Sequence, residues 1–264
     1  MMKCFCAAVV VSAVVLGLML FAPIASIPAA AQQRGAGQPT TKSAKPVPRT
    51  SWDGKPDLTG VWQGVNLSAR AYGLAELERL YQPSAKEKMT ALSEKDDPIN
   101  HCIPYGNPRG LATAFPFQIV RAVGAMLVLT DHPHIYRYIP TDGRNHTEDI
   151  FPSYLGDAAG RWEGDTLVVD ITALNGRIWL AGAKDHPTPT GTGGWITSDA
   201  LHVVERWRLV DGDTLEYQAT VEDPKVLTGP WTTPKIALKR APIRKIGEGH
   251  CIPEAIDYQA PALK

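Results

Sequence analysis

The sequence predicts a mainly β domain, an antiparallel meander that closes into a barrel or a sandwich, with one helical insertion near residues 74–94. Three observations carry this. Short runs rich in β-branched and aromatic residues recur through the second half of the chain, each ended by a turn sequence of Gly, Pro or Asp. Neighbouring runs are joined by only a few residues, as hairpins are and parallel crossovers are not. The runs do not alternate with helical stretches, so a parallel α/β sheet is not expected. Meanders of about eight strands close or pack in pairs, because open edges invite aggregation.

Pro56-Asp57-Leu58-Thr59-Gly60-Val61-Trp62 reads as a turn and a first short strand. Leu74, Leu77, Leu80, Tyr81, Met89 and Leu92 then recur at helical spacing among charges, and Pro83 either opens a second helix or breaks the first. Residues 96–116, rich in Pro and Gly, read as loop. Strands are expected at 117–123, 125–130 and 135–139, the last ended by Pro140-Thr141-Asp142-Gly143. Gly164-Asp165 is the turn of a hairpin between 160–163 and 166–171, and Asp211-Gly212-Asp213 joins 201–209 to 214–221. A last strand covers 235–239. The Gly/Pro/Thr-rich stretch 181–198 is long for a connection and reads as a lid or binding loop.

The ends of the chain suggest where this domain works. Lys3, an apolar run from Ala7 to Ala22 and Ala29-Ala30-Ala31 follow the order of a cleavable secretory signal over residues 1–31. The apolar run is short for a membrane span. Residues 32–55, with almost no large apolar side chain, are expected to be a flexible leader, and residues 56–264 a single β-rich domain. The expected destination is the periplasm or the extracellular space. Lys and Arg together number 27, as do Asp and Glu. With no basic stripe, nothing points to nucleic acid or to a membrane surface as partner. Beyond the signal only Cys102 and Cys251 remain, and in an exported chain an even pair reads as a disulfide. The rival reading, a nucleophilic cysteine, finds no Cys–His pattern.

The chemistry-bearing residues stand out against the strand period. In 201–209, Leu201, Val203, Glu205, Trp207 and Leu209 share one face and His202, Val204, Arg206 and Arg208 the other. Glu205 is the one carboxylate on an apolar face, so it requires a partner or cavity water. It reads either as a general acid/base in a cavity or as half of a core ion pair. Arg137, between Ile135 and Ile139, is its counterpart. Its planar fork suits a carboxylate, either Glu205 or Asp170. His146, after a turn and near Glu148 and Asp149, is a candidate general base. His132 and His134, with His146 or Asp131, make too thin a set for a metal. There is no G-x-S-x-G, no H-E-x-x-H, no phosphate loop and no dinucleotide fingerprint, so no cofactor is implied.

Gly60-Val61-Trp62 resembles the G-x-W signature of lipocalins and related calycin barrels, although the helical stretch after the first strand departs from their simple strand order. A wider resemblance runs through 56–62, 102–109 and 137–144, through Gly160-Arg161-Trp162-Glu163-Gly164-Asp165 and the strand after it, and through Glu205-Arg206 and 223–231. It is to a family of uncharacterised exported bacterial proteins, and it implies export and domain extent without a reaction. The functional expectation is a barrel that binds a small, partly apolar molecule in an internal cavity. Trp62, Trp162 and Trp207 would wall the cavity and Arg137 would anchor the ligand. The alternative is a cofactor-free isomerase, lyase or hydrolase using Glu205 or His146 for proton transfer and Arg137 for an anionic group. A third is an envelope interaction module using strand edges and the 181–198 loop.

Overall fold

The computed structural model describes residues 44–65, 67, 69–182, 193–249 and 251. The proposed signal, the first part of the leader and the centre of the 181–198 loop lie outside the described residues. Ten strands form one antiparallel sheet that is nearly closed into a barrel. They are β1 (Gly60–Gln63), β2 (Phe117–Ala122), β3 (Ala125–Thr130), β4 (Ile135–Pro140), β5 (Asp157–Glu163), β6 (Thr166–Thr172), β7 (His202–Asp211), β8 (Thr214–Glu222), β9 (Trp231–Thr232) and β10 (Ile236–Arg240). The order around the barrel is β4-β3-β2-β1-β10-β8-β7-β6-β5, with β9 beside β8. Two meanders, β1 to β4 and β5 to β10, are therefore joined through the β1–β10 pairing, where Trp62 faces Arg240.

Alternation decides which side chains enter the barrel. On β7, Val203, Glu205, Trp207 and Leu209 are buried, while Arg206 and Arg208 face solvent. On β8, Leu215, Tyr217, Ala219 and Val221 point the same way. Direct pairing then sets Trp207 opposite Tyr217 and Glu205 opposite Ala219. Trp62, Phe117, Trp207, Tyr217 and Trp231 fill the interior. Bulky aromatics of this kind each bury about 150–250 Å2.

The helical insertion is three short helices, α1 (Ala69–Tyr72), α2 (Leu74–Leu80) and α3 (Pro83–Thr90). Pro83 opens α3 at its first turn, where the missing N–H costs nothing. Leu74, Leu77, Ala85 and Met89 are buried, and Tyr72 meets Trp231 edge-on at 5.4 Å. No described helix is long and apolar enough to cross a membrane.

Two expectations shift. Residues 44–55 are not a loose leader. Arg49 makes two hydrogen bonds to Asp165, Asp53 pairs with buried Arg121 at 2.7 Å, and Thr50 is buried. Ion pairs supply here what apolar area does not. The flanks of the 181–198 loop are also interior. Trp195 is fully buried, and Leu180 N–H donates to the Trp195 carbonyl at 2.8 Å.

Among the described residues the barrel has one unpaired seam. Eight antiparallel steps separate β4 from β5, so these two edges run the same way. They pack tightly at Gly160, where a Cβ would stand 2.5 Å from the Pro140 carbonyl oxygen. Gly160→Val should therefore cost about 1–3 kcal/mol by forcing the edges apart. Urea unfolding checks this, with Gly229→Ala as control. A Cβ at 229 meets nothing within 4 Å, and the control should stay within about 0.5 kcal/mol of the parent.

Candidate functional site

Alternation on β4 buries Arg137 and Ile139 between exposed Tyr136 and Tyr138. Arg137 crosses the interior to β7 and donates to both oxygens of Glu205, at 2.9 and 3.3 Å. The side chains are 6% and 0% exposed. Glu205 has further donors: Tyr217 Oη at 2.8 Å, Trp207 Nε1 at 3.3 Å and the Asn107 amide. Burial, with the neighbouring Glu205 charge, pushes the Tyr217 phenol well above its ordinary range, so it stays a donor. Glu205 thus accepts from five N–H or O–H groups, which is how a carboxylate survives full burial. Asp170, the other partner considered for Arg137, faces outward on β6 and is not in this cluster.

Over this cluster lies one end of the barrel, roofed by the loop that carries Tyr105, Asn107 and Arg109. Arg109 is anchored by two short bonds to buried Asp97, at 2.7 and 2.6 Å. The Cys102–Cys251 disulfide, with Cα atoms 5.6 Å apart, ties the same loop to the C-terminal tail. Phe115 and His132 lie ring to ring at 4.8 Å, and each is 6.5 Å from Tyr105. The hollow among Tyr105, Asn107, Phe115, His132 and Arg137 has a volume of about 20 Å3, room for a water molecule.

Larger spaces open sideways along the seam. One of about 380 Å3 lies among Tyr136, Arg137, Tyr138, Arg144, Asn145 and Leu155. The next, about 390 Å3, lies among Arg144, Asn145, His146, Gly160, Arg161 and Asp170. They share Arg144 and Asn145, and the first shares Arg137 and Leu155 with the small hollow. The three are therefore neighbours, from the end of the barrel round to its outer wall.

On that wall stands a row of alternating acids and imidazoles. His146 Nδ1 is 3.0 Å from Asp157 and its Nε2 3.2 Å from Asp170 Oδ1. His202 Nε2 is 2.9 Å from the same Asp170 oxygen, and its Nδ1 is 3.4 Å from Glu222. The loop after β4 thereby reaches β5 and β6, and through Asp170 the row continues onto β7 and β8.

The residues singled out in the sequence thus fall into separate places. Glu205, Arg137 and Trp207 meet inside the barrel. His146 lies on the outer wall and does not converge with them. Trp62 is fully buried, its Nε1 donating to the Leu58 carbonyl at 3.0 Å. Trp162 is partly buried under Arg121, 4.8 Å away. Trp62, Trp162 and Trp207 line none of these three spaces. No set of three His, Cys, Asp or Glu side chains among the described residues is disposed to hold a metal ion, His132 and His134 included. Sequence reasoning missed Asn107, Tyr217 and the Asp157–Asp170–His202 row. Tyr217 was within reach, as the one hydroxyl on the inner face of β8.

No family model, no curated protein and no solved structure matches this chain. Fold and site together define the class: a nearly closed antiparallel barrel with a saturated charge pair in its core and a polar-aromatic groove along its seam.

Proposed function

We propose that this protein binds a small, partly apolar molecule in the seam groove beside Arg137, in the periplasm or outside the cell. The observation that carries the reading is the pair of adjoining spaces, each within the usual range for small-ligand sites. Tyr136 and Tyr138, 64% and 51% exposed, offer ring surface beside the groove, and Arg144 and Asn145 supply donors. The packed aromatic interior and the water-sized hollow over Arg137 favour the seam over a deep cavity. The enzyme reading has less support. Glu205 is enclosed by donors, and both ring nitrogens of His146 already face carboxylates.

The test is a thermal-shift screen of small aromatic and lipid metabolites. A ligand at a hundredfold excess over its Kd should raise Tm by about 5–10 °C. Tyr138→Ala and Arg144→Ala, both at exposed positions, should keep the parent Tm and lose the shift. A shift that survives both substitutions places the ligand elsewhere and refutes the groove.

A further inference from the structure

We infer that His146 and His202 form a proton-operated latch that fixes the outer wall of the seam groove under acidic conditions and releases it as pH rises. The regulatory half of this statement rests on the groove reading above; the latch itself does not.

The number of hydrogens on the rings decides which of these contacts are bonds. Asp157, Asp170 and Glu222 are acceptor-only when ionised. A neutral imidazole has one N–H and one lone pair, so between two carboxylates it makes one hydrogen bond and sets its lone pair against an oxygen. The doubly protonated ring donates both ways. Two rings and three acids give four contacts at 2.9–3.4 Å, and all four are bonds only when both rings carry two protons. Asp170 Oδ1 makes the coupling tight, because it is the acceptor for both Nε2 atoms. The guanidinium charges beside His146 are already engaged. Of the two guanidinium groups lining its hollow, Arg144 is bound to Asp142 and Arg161 to Glu163. Glu148 and Asp149 follow it in the chain and add negative charge.

The position gives the latch its consequence. The loop between β4 and β5 is held at its start by Thr141 N–H on the Gly124 carbonyl, 2.8 Å, and at its end by Ser153 N–H on the Ala173 carbonyl, 3.0 Å. Between these points it is tied to the barrel through His146 and through Thr147 N–H, which donates to Asp157 at 2.9 Å. Arg144 and Asn145, two walls of the groove, immediately precede His146. Histidine is the side chain whose ordinary charge change falls near neutrality.

The experiment is hydrogen exchange of residues 142–151 in the full-length, ligand-free protein at about pH 5.5 and about pH 8, corrected for intrinsic rates. Wild-type protection should fall about tenfold between the two, the size expected for losing a charged hydrogen bond. His146→Gln should show the low value at both pH values, and His202→Gln a smaller fall than wild type. Equal wild-type protection at both pH values overturns the latch, as does an undiminished fall in His146→Gln. Because no ligand is present, these outcomes leave the groove reading to its own test.

Discussion

Glu205→Ala is expected to lower stability by about 3–5 kcal/mol, a large part of what a domain of this kind possesses. The loss of carboxylate packing is the smaller part. The larger part is the Arg137 guanidinium, left 6% exposed with no charge to face. The Tyr217 hydroxyl and the Trp207 and Asn107 N–H groups lose their acceptor with it. Each buried donor left unmet costs about 1–3 kcal/mol. Urea unfolding at neutral pH measures the sum. The companion variant Arg137→Met/Glu205→Leu removes both charges and should recover much of the loss, since a matched apolar pair is often as stable as a buried ion pair. A Glu205→Ala cost below about 1 kcal/mol would show that the pair is reached by water and open to solvent chemistry. Glu205→Gln adds the functional contrast. It keeps shape, so ligand affinity in the seam should stay within about twofold even as stability falls.

That pair also marks how far the sequence could be read. Glu205 and Arg137 were visible because a charge on an apolar strand face breaks a period of two. The hairpins were visible because Gly164-Asp165 and Asp211-Gly212-Asp213 are local signals, and Pro83 at the start of α3 is another. What joins distant segments leaves no such trace. Nothing in 60–63 states that this strand will pair with 236–240 and close the barrel. Asn107 comes to Glu205 from a loop 98 residues away. The row from Asp157 to Glu222 is the clearest case. Each member alternates outward on its strand or lies in a loop, where an acid or a histidine is ordinary. Only the register of β5 through β8 makes them neighbours. The order of residues 44–55 was hidden for a related reason, since composition shows their lack of apolar area but not the charges waiting on Arg121 and Asp165.

Replacing both cysteines, Cys102→Ser with Cys251→Ser, is expected to cost about 4–5 kcal/mol, or a Tm lower by about 10–20 °C. The bond spans 149 residues of sequence, and a loop that long restricts the unfolded chain strongly. Its place in the fold adds a local effect. Cys102 ends the short helical turn Pro98–His101, the same loop in which Arg109 is anchored to Asp97 and Asn107 reaches Glu205. Without the bond the C-terminal tail loses its covalent anchor, and the roof over the barrel end loses one of its restraints. Limited trypsin digestion should then cut at Arg244 or Lys245 well before the barrel opens, and wild-type protein under reductant should behave the same way. The two effects separate cleanly. A fall in Tm without faster tail cleavage would place the bond's role in the unfolded state alone. Faster cleavage with an unchanged Tm would mean that the tail is held by the bond while the barrel stands without it. Neither change would mean that Cys102 and Cys251 are free thiols in the folded protein, and the expectation of an oxidising destination would lose its main structural support.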